Sequence, residues 1–377
     1  MTGLRSAAVA PLAIAPLTPA PLTPAPLTPA PLSIVIVTDA WHPQTNGVVR
    51  TLSTTLEVLR RWGHQVEVIS PRDYASVPCP TYPEIRLALA PPGAVGRRLA
   101  ALAPDAVHIA TEGPLGLAAR RHCLRRKLPF TTAYHTQFPE YLARRTGMSP
   151  AAFRPYIRWF HRPARAIMVA TRSIADELRA QGLTQLHHWG RGVDLDCFSP
   201  DAPPPPEYAA LPRPILLYAG RVSVEKNIEA FLECDYPGTR VVVGDGPARG
   251  VLEKRFPAAH FLGLRRGREL AGCYAGADVL VFPSRTDTFG LVMIEALACG
   301  LPVAAFPVAG PIDIVTERTG ALSGQIERAI DAALYCDSRD CAAYGASFSW
   351  EVATRQFLAG LVTREAVYGT NLAALPA

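Results

Sequence analysis

Residues 284–300 read SRTDTFGLVMIEALACG and lie between two apolar runs, DVLVFP at 278–283 and LPVAAF at 301–306. The order of apolar strand, polar loop, helix and second apolar strand is typical of a parallel α/β layer. In such a layer the loop opens at the carboxyl edge of the sheet, where α/β folds bind their ligands. The stretch therefore predicts both the fold class and the position of a ligand site.

The loop and the start of the following helix favour an anionic ligand. Thr286, Asp287 and Thr288 can cap the helix, and we expect the first helical N–H groups near Phe289 and Gly290. Those N–H groups have no partners inside the helix and carry the positive end of its dipole. A phosphate group suits this position best.

Two carboxylates, Asp287 and Glu295, belong to the same stretch. Eight residues of helix separate side chains by about 10 Å, which is too far for a paired acid–base dyad. One carboxylate could bind a sugar beside the phosphate and the other a ribose. The structural alternative is that Asp287 caps the helix and Glu295 is a solvated helix residue.

Length and cysteine content limit the class of protein. The 377 residues are enough for two domains, and no run of 18 apolar residues predicts a membrane-spanning helix. The eight cysteines form neither a CxxC pair nor a Cys/His spacing typical of zinc sites. They indicate reduced, mostly buried thiols in a cytoplasmic protein rather than a disulfide framework.

The charge is distributed unevenly along the chain. Residues 1–200 carry a net charge of +10 and residues 201–377 a net charge of −4. Residues 120–165 contain eleven basic side chains against one acid, Glu140, which is enough to attract an anionic membrane surface. A solvated basic face is the alternative. We expect a cytoplasmic protein that can associate peripherally with the inner face of the cytoplasmic membrane.

The N-terminal residues 1–32 contain the motif APLTP repeated with a period of five. Such proline density blocks a helix and favours extended polyproline II, so we predict a disordered tail rather than a signal peptide or membrane span.

The first domain is predicted from residue 33 to residue 198 and opens as a βαβ unit. Asn46 and Gly47 lie in the loop after its first strand, where backbone N–H groups can surround a phosphate. His135 ends a later strand, on the same edge of the sheet as Gly47. The GxGxxG fingerprint and its following acid are missing, which argues against a dinucleotide-dependent oxidoreductase.

Residues 199–213 are rich in proline and predict an interdomain linker. Five apolar runs separated by helical patterns then predict a doubly wound parallel sheet in a second domain, residues 214–348. Residues 349–377 include a C-terminal helix that we expect to cross back to the first domain. In the loop GRVSVEKN at 220–227, Arg221 and Lys226 can both meet a diphosphate.

The chain resembles the retaining glycosyltransferases of family 4 through motifs that occur in the family's order between Ser33 and Trp350. The motifs are NGVVRTL, AYHTQFPEY, RGVDLDCFSP, GRVSVEKN, VVVGDGPAR and DTFGLVMIEALACGLPV. The resemblance implies an α/β fold with the GT-B architecture, two Rossmann-like doubly wound parallel-sheet domains that face a cleft. The N-terminal domain would bind the acceptor and the C-terminal domain the nucleotide-sugar donor.

Among family members, the chain looks most like bacterial α-mannosyltransferases that use GDP-mannose to extend glycolipids. The resemblance implies a place for each part of the donor: the diphosphate at Asn46, Gly47, Arg221, Lys226, Phe289 and Gly290, the ribose at Glu295 and Leu291, and the sugar at His135. Asp287 stands where the family usually has glutamate. Arg191 replaces the asparagine of the commoner NGVD motif, so the resemblance gives it no role.

These residues predict transfer by front-face attack, in which the departing diphosphate takes the proton of the acceptor hydroxyl. Arg221, Lys226 and the helix N-terminus would stabilise the charge that develops on the leaving group, with His135 and Asp287 completing the catalytic set. No HEXXH motif occurs, and no metal cofactor is expected.

The sequence alone does not exclude four other functions. A UDP-sugar-dependent glycolipid or sulfolipid synthase would share the whole site, and a nucleotide-sugar epimerase or a phosphorylase would share its phosphate loops. A non-enzymatic basic binding module is the fourth, although the full set of phosphate-binding residues argues against it. We expect a nucleotide-sugar donor and a lipid or glycan acceptor as partners, and no nucleic acid.

Overall fold

The structure is a computed structural model that describes residues 30–44, 46–79, 82–135, 149, 152–287 and 289–368. It contains two six-stranded parallel sheets surrounded by helices, and a separate two-stranded antiparallel ribbon. The predicted class, an α/β fold with two Rossmann-like parallel-sheet domains, is confirmed. The predicted tail at 1–32 lies almost entirely outside the described residues.

The strands in chain order are β1 (Ser33–Val37), β2 (Gln65–Ile69), β3 (Ser76–Cys79), β4 (Tyr82–Ala88), β5 (Ala106–Ile109), β6 (Thr131–Tyr134), β7 (Ala166–Val169), β8 (Leu186–His188), β9 (Ile215–Ala219), β10 (Thr239–Val243), β11 (His260–Gly263), β12 (Val279–Phe282), β13 (Val303–Ala305) and β14 (Gly320–Leu322).

The α-helices in chain order are α1 (Gly47–Arg61), α2 (Ala94–Leu102), α3 (Pro114–Arg125), α4 (Arg154–His161), α5 (Arg172–Ala180), α6 (Glu229–Leu232), α7 (Arg249–Arg255), α8 (Gly267–Ala275), α9 (Leu291–Ala298), α10 (Pro311–Ile314), α11 (Ile326–Ala333), α12 (Ser338–Gly345), α13 (Trp350–Gly360) and α14 (Arg364–Tyr368). Short 3₁₀ turns occupy Pro71–Asp73, Pro206–Ala210 and Val224–Lys226.

The first sheet has the strand order β2-β1-β5-β6-β7-β8. Its strand β1, which lies between β2 and β5, is fully buried from Ile34 to Val37, because helices cover both faces of a parallel sheet and a continuous apolar run fits that environment. After β1 the chain forms β2 on one side of β1, and it later forms β5 on the opposite side of β1. The loop after β1 therefore opens at a topological switch point, where such folds form a crevice.

The second sheet repeats this arrangement with the order β11-β10-β9-β12-β13-β14. Here β9 lies between β10 and β12, so the loops after β9 and β12 flank the switch point of this domain. These two loops are GRVSVEKN and the first part of the 284–300 stretch. The topology thus brings together two motifs that are about 60 residues apart in the chain.

The sequence underestimated the number of strands. It predicted five strands in the second sheet, and the structure adds β14 there; in the first sheet β8 was not predicted. Their three residues, LHH and GAL, lack the continuous apolar run that marks β13, which is equally short. The ribbon of β3 and β4 was also missed, because Pro78 interrupts its first strand and weakens the strand pattern.

Helix α13 follows the second domain in the chain and packs against α1, β7 and β8 of the first domain. Ser349 pairs with Val193 at its start, and Trp350 forms a small apolar cluster with Val58 on α1. The C-terminal segment therefore joins the two halves of the molecule on the side of α1.

Seven cysteines whose side chains the structure describes are free, namely Cys123, Cys197, Cys234, Cys273, Cys299, Cys336 and Cys341, and five of these seven are buried. Their burial agrees with the prediction of mostly buried thiols. Among the described helices, none combines the length and the apolar character needed to cross a membrane.

Candidate active site

The loops after β9 and β12 contact each other at the switch point of the second sheet. The side-chain amide of Asn227 donates to the Pro283 carbonyl at 3.0 Å, and the Thr286 hydroxyl lies 3.5 Å from the Glu225 carbonyl. Because β9 and β12 are neighbours, both loops leave the sheet at the same edge. The predicted phosphate loop and the predicted acidic loop therefore form one site.

Lys226 and Asp287 form an ion pair between these loops. The Lys226 Nζ lies 2.5 Å from Asp287 Oδ1, and both side chains are only partly exposed, at 28% and 21%. The other carboxylate oxygen, Asp287 Oδ2, is buried and has no hydrogen-bond partner among the described residues. Arg221 lies at the start of the loop that carries Lys226, and its carbonyl accepts a hydrogen bond from the Tyr218 hydroxyl at 2.7 Å.

The expected cap of the central helix is wrong. Helix α9 begins at Leu291, and Gly290 precedes it in the left-handed conformation, with φ 88°, and without any side-chain cap. Asp287 bonds to Lys226 instead of capping the helix, and Thr288 lies outside the described residues. Phe289 and Gly290 thus precede the helix, and its first N–H groups belong to Leu291 and the residues after it.

A residue with a Cβ is strained at Gly290 for two reasons. Its positive φ favours glycine, and an added Cβ would lie 2.8 Å from the Met293 side chain and 2.9 Å from the ring of Phe282. Glycine therefore allows the chain to turn from the acidic loop directly into α9.

The first domain meets the start of α9 through the loop after β1. Asn46 caps α1, its side chain accepting from the Val49 N–H at 3.0 Å. A Cβ added to Gly47 would lie 3.7 Å from Leu291 Cδ1, so Gly47 and Leu291 face each other across the two domains. The two residues that the sequence assigned to diphosphate and ribose are therefore neighbours.

Glu295 is buried at this interdomain contact, with 2% of its side chain exposed. One carboxylate oxygen accepts from Arg50 of α1, and the other accepts from the Tyr274 hydroxyl at 3.0 Å. Burial raises the pKa of Glu295, and the Arg50 charge and the Tyr274 hydrogen bond oppose that rise. The alternative of a solvated Glu295 is wrong, and a ribose could reach this carboxylate only after Arg50 moves.

A second contact between the domains lies at the start of α5. Asp313 of α10 accepts from the Ser173 N–H at 2.9 Å and from the Ser173 hydroxyl. The Asp313 carboxylate thus meets the first turn of α5, where a negative charge is favourable. Together with the Arg50–Glu295 pair, this contact ties the two walls of the cleft.

His135 lies at the end of β6, as predicted, and is 7% exposed. Its Nδ1 is 3.1 Å from Nη2 of Arg191. The pKa of His135 lies well below its ordinary value, first because of burial and then because of the Arg191 charge and His108. The motif residues 136–140, which follow His135 in AYHTQFPEY, lie outside the described residues.

Four residues that the sequence reasoning did not select are part of this site. They are Arg50, Arg191, Tyr274 and Asp313. Arg50 and Arg191 belong to recognised motifs, NGVVRTL and RGVDLDCFSP, but no spacing in the sequence shows which residue each of them contacts. Within the described ranges, no group of three or more His, Cys, Asp or Glu side chains could hold a metal ion.

Two protein-family models match the chain. Residues 45–197 match Glycosyltransferase Family 4, and residues 213–336 match Glycosyl transferases group 1. The chain is 34% identical, over 77% of its length and 83% of the relative, to the GDP-mannose-dependent alpha-mannosyltransferase of Mycobacterium tuberculosis. It is 31% identical to the sulfoquinovosyl transferase SQD2 of Arabidopsis thaliana, over 74% of the chain and 60% of the relative.

Solved structures share the fold at lower identity. A sucrose-phosphate synthase from Thermosynechococcus elongatus superposes with a TM-score of 0.70 at 22% identity, covering 86% of this chain and 97% of that one. Anabaena Alr3699/HepE in complex with UDP and glucose superposes with a TM-score of 0.63 at 15% identity, covering 87% and 98%.

Proposed function

Because the chain belongs to glycosyltransferase family 4 and is a GT-B hexosyltransferase that uses a nucleotide-sugar donor, we propose GDP-mannose as the donor and a membrane lipid as the acceptor. Three relatives at 30–34% identity are GDP-mannose-dependent alpha-mannosyltransferases, which supports this donor. The likeness to a sulfoquinovosyl transferase supports a UDP-sugar-dependent glycolipid or sulfolipid synthase as the second candidate.

The Lys226–Asp287 pair at the switch point is the observation that carries the proposal. When the bond between the sugar and the diphosphate breaks, negative charge develops on the diphosphate. A cation already held at the crevice stabilises that charge more in the transition state than in the starting ester, and so lowers the barrier. Lys226 would exchange its bond to Asp287 for one to the diphosphate, with Arg221 as the second cation.

The pairing of both site carboxylates supports front-face attack with retention of configuration. Asp287 is bonded to Lys226, and Glu295 is bonded to Arg50 and Tyr274. When the donor draws those cations away, Asp287 would bind a sugar hydroxyl and Glu295 the ribose, and neither carboxylate would be assigned to attack on the anomeric carbon. The acceptor oxygen would then bond to the anomeric carbon on the face that the diphosphate leaves. The proton of the acceptor hydroxyl would pass to an oxygen of the departing diphosphate.

Donor binding would rearrange the Arg50–Glu295 contact. The carboxylate of Glu295 is a good acceptor for ribose hydroxyls, but its oxygens already have protein partners. A ribose bound at Glu295 would displace Arg50, which is 39% exposed and can turn toward the diphosphate. In this arrangement the ligand replaces a contact between the domains by contacts of its own.

A basic groove on the first domain supports a lipid acceptor. Its volume is about 730 Å³, and its lining includes Arg154, Arg158, Arg162 and Trp159. These three arginines are exposed and form no ion pair with any described residue. The guanidinium of Arg120 lies 3.9 Å from the Trp159 ring centre. With no carboxylate among its described lining residues, the groove suits the phosphate groups of an anionic membrane surface.

Helix α4, which lines this groove, is amphipathic. Ile157 and Phe160 are buried against the domain, while Arg158 and Trp159 lie on the exposed side. A basic helix with an exposed tryptophan is typical of a surface that rests on lipid headgroups. We therefore place the membrane on the α4 side of the acceptor domain.

A donor panel with total lipid extract tests the proposal. The purified protein is incubated with GDP-mannose, UDP-glucose or UDP-sulfoquinovose, and both nucleoside diphosphate release and new glycolipids are followed. We expect GDP release that depends on lipid and yields a mannolipid. UDP release with lipid would favour the second candidate, and donor turnover without any acceptor would favour an epimerase or hydrolase. Salt-sensitive DNA binding without donor turnover would indicate a binding module.

A further inference from the structure

We infer that Arg191 is a positioning residue that fixes the proton of His135 on Nε2 and keeps the imidazole a hydrogen-bond donor toward the sugar. The inference deepens the proposed function, since it places His135 against the transferred sugar. The contact itself is independent of that function. Nη2 of Arg191 lies 3.1 Å from Nδ1 of His135, and both side chains are buried.

Arg191 is held rigidly by its own loop. Its Nη1 donates to the carbonyl of Trp189 at 2.7 Å and to the carbonyl of Gly190 at 2.9 Å. The guanidinium also lies 5.0 Å from the centre of the Trp189 ring. Trp189 in turn contacts His135 edge to face, with the ring centres 5.3 Å apart. The arginine, the tryptophan and the histidine thus form one packed unit.

The direction of the hydrogen bond follows from the chemistry of arginine. A guanidinium has donors only, and burial lowers the pKa of Arg191 to about 10, so the group stays protonated at neutral pH. Nδ1 of His135 must therefore be the acceptor. A neutral imidazole with an unprotonated Nδ1 carries its proton on Nε2.

The same contact opposes a second proton on the ring. An imidazolium would direct an N–H group at the N–H group of Arg191 and place two positive charges side by side in a buried site. Among the described residues, the other titratable group that faces His135 is His108 of β5, and burial lowers its pKa to about 3. Both groups therefore leave His135 neutral.

A neutral histidine with Nε2–H cannot take a proton through Nε2. It can donate a hydrogen bond to an oxygen of the transferred sugar without adding a positive charge to it. That role agrees with front-face attack, in which the departing diphosphate, and not a side chain, accepts the proton of the acceptor hydroxyl. By fixing this tautomer, Arg191 prevents His135 from acting as a general base.

An asparagine, which the family commonly has at this position, could not make the same set of contacts. The planar fork of arginine offers donors in fixed directions, and Arg191 uses them for two carbonyls and the imidazole together. Lysine keeps the charge and a donor but has no planar fork. Methionine keeps much of the stem's volume and removes every donor.

The tautomer is measured directly by NMR on the full chain with ¹⁵N-labelled histidine, using His135→Gln to assign the signals. We expect the proton of His135 on Nε2 and no titration from pH 8 to pH 5. In Arg191→Met the ring should become a tautomer mixture and its pKa should rise, although burial still holds that pKa below its ordinary value. A proton on Nδ1 in the unchanged chain would overturn the inference without any need for a variant.

Kinetics give a second readout in the same variants. We expect Arg191→Met to lower kcat about tenfold at pH 7.5, within the range that orienting partners of functional histidines supply. The variant should also lose rate at acid pH where the unchanged chain does not, because without the Arg191 charge His135 binds a proton more readily. Arg191→Lys should restore most of the rate and remove that acid limb.

The two readouts separate the inference from the proposed function. An Nε2 tautomer that depends on Arg191, in a chain that transfers no sugar, would support the positioning and refute the transferase role of His135. Sugar transfer with an unchanged His135 tautomer in Arg191→Met and an unchanged pH profile would refute the positioning and leave the transferase standing.

Discussion

Nζ of Lys226 lies 2.5 Å from Oδ1 of Asp287, although the two residues are 61 positions apart. The pair joins the loop after β9 to the loop after β12, on the two sides of the switch point of the second sheet. Each partner alone would be an ordinary charged loop residue. Together they hold a cation at the place where an α/β fold binds the phosphate of its ligand.

Lys226 gives the sharpest kinetic prediction, because the chain has only two other lysines, Lys127 and Lys254. Lys226→Ala removes the movable cation of the diphosphate site and should lower kcat/KM for the donor by about a hundredfold or more. Lys254→Ala removes the same charge from an exposed position on α7 and should leave the rate unchanged. Donor-dependent nucleoside diphosphate release measures both, and equal rates would refute the diphosphate assignment.

The Arg50–Glu295 pair should couple the domains more strongly than an exposed pair does. Because Glu295 is 2% exposed and Arg50 39%, a double-mutant cycle with Arg50→Met and Glu295→Gln should give a coupling of about 1–3 kcal/mol.

Arg61 and Glu351 provide the matched comparison, since they also join α1 to the second half of the chain but are 65% and 44% exposed. Their cycle should give less than about 1 kcal/mol. Both couplings come from denaturant unfolding, and a smaller value for Arg50–Glu295 would contradict its role as the stronger interdomain tie.

Buried histidines make stability depend on pH. Burial lowers the pKa of His108 to about 3, so the folded chain keeps this group neutral where the unfolded chain binds a proton. The contribution of neutral His108 to the free energy of unfolding is fully present above about pH 6.5 and is lost as the pH falls toward 3. At pH 5 the loss should be about 2 kcal/mol.

The measurement is the free energy of unfolding at pH 7.5, 6 and 5. His108→Gln should flatten the decline, whereas His260→Gln, at an exposed position, should leave it unchanged. A decline of the same steepness in His108→Gln would show that other groups cause it.

The basic groove predicts binding to anionic membranes. Arg158→Gln with Arg162→Gln removes two charges from the groove and should weaken binding to phosphatidylglycerol vesicles about tenfold, since each basic residue near such a surface contributes about 1 kcal/mol at most.

The control, Arg72→Gln with Arg328→Gln, removes two exposed charges that do not line the groove and should change binding much less. Vesicles of neutral phosphatidylcholine should bind neither form. Equal weakening by both pairs of substitutions would show that net charge, and not the groove, governs the attraction.

The alternation of apolar and polar segments was enough to predict two doubly wound sheets. It also placed Lys226, Asp287 and His135 at strand ends, because parallel strands bring their carboxyl ends to one edge. The helix cap was predicted wrongly, since the left-handed turn at Gly290 starts the helix later than the residue types suggest. Strands β8 and β14 were missed because neither belongs to a continuous apolar run of the kind that marks the equally short β13.

The sequence by itself determined which loops border the crevice, since local patterns fix where each strand ends and each loop begins. Only the tertiary structure decided their partners: Arg50 meets Glu295 across 245 positions, and Arg191 meets His135 across 56. The physical reason is that an ion pair or a hydrogen bond depends on distance in space and on burial. Neither the distance in space nor the burial can be derived from the spacing of residues along the chain.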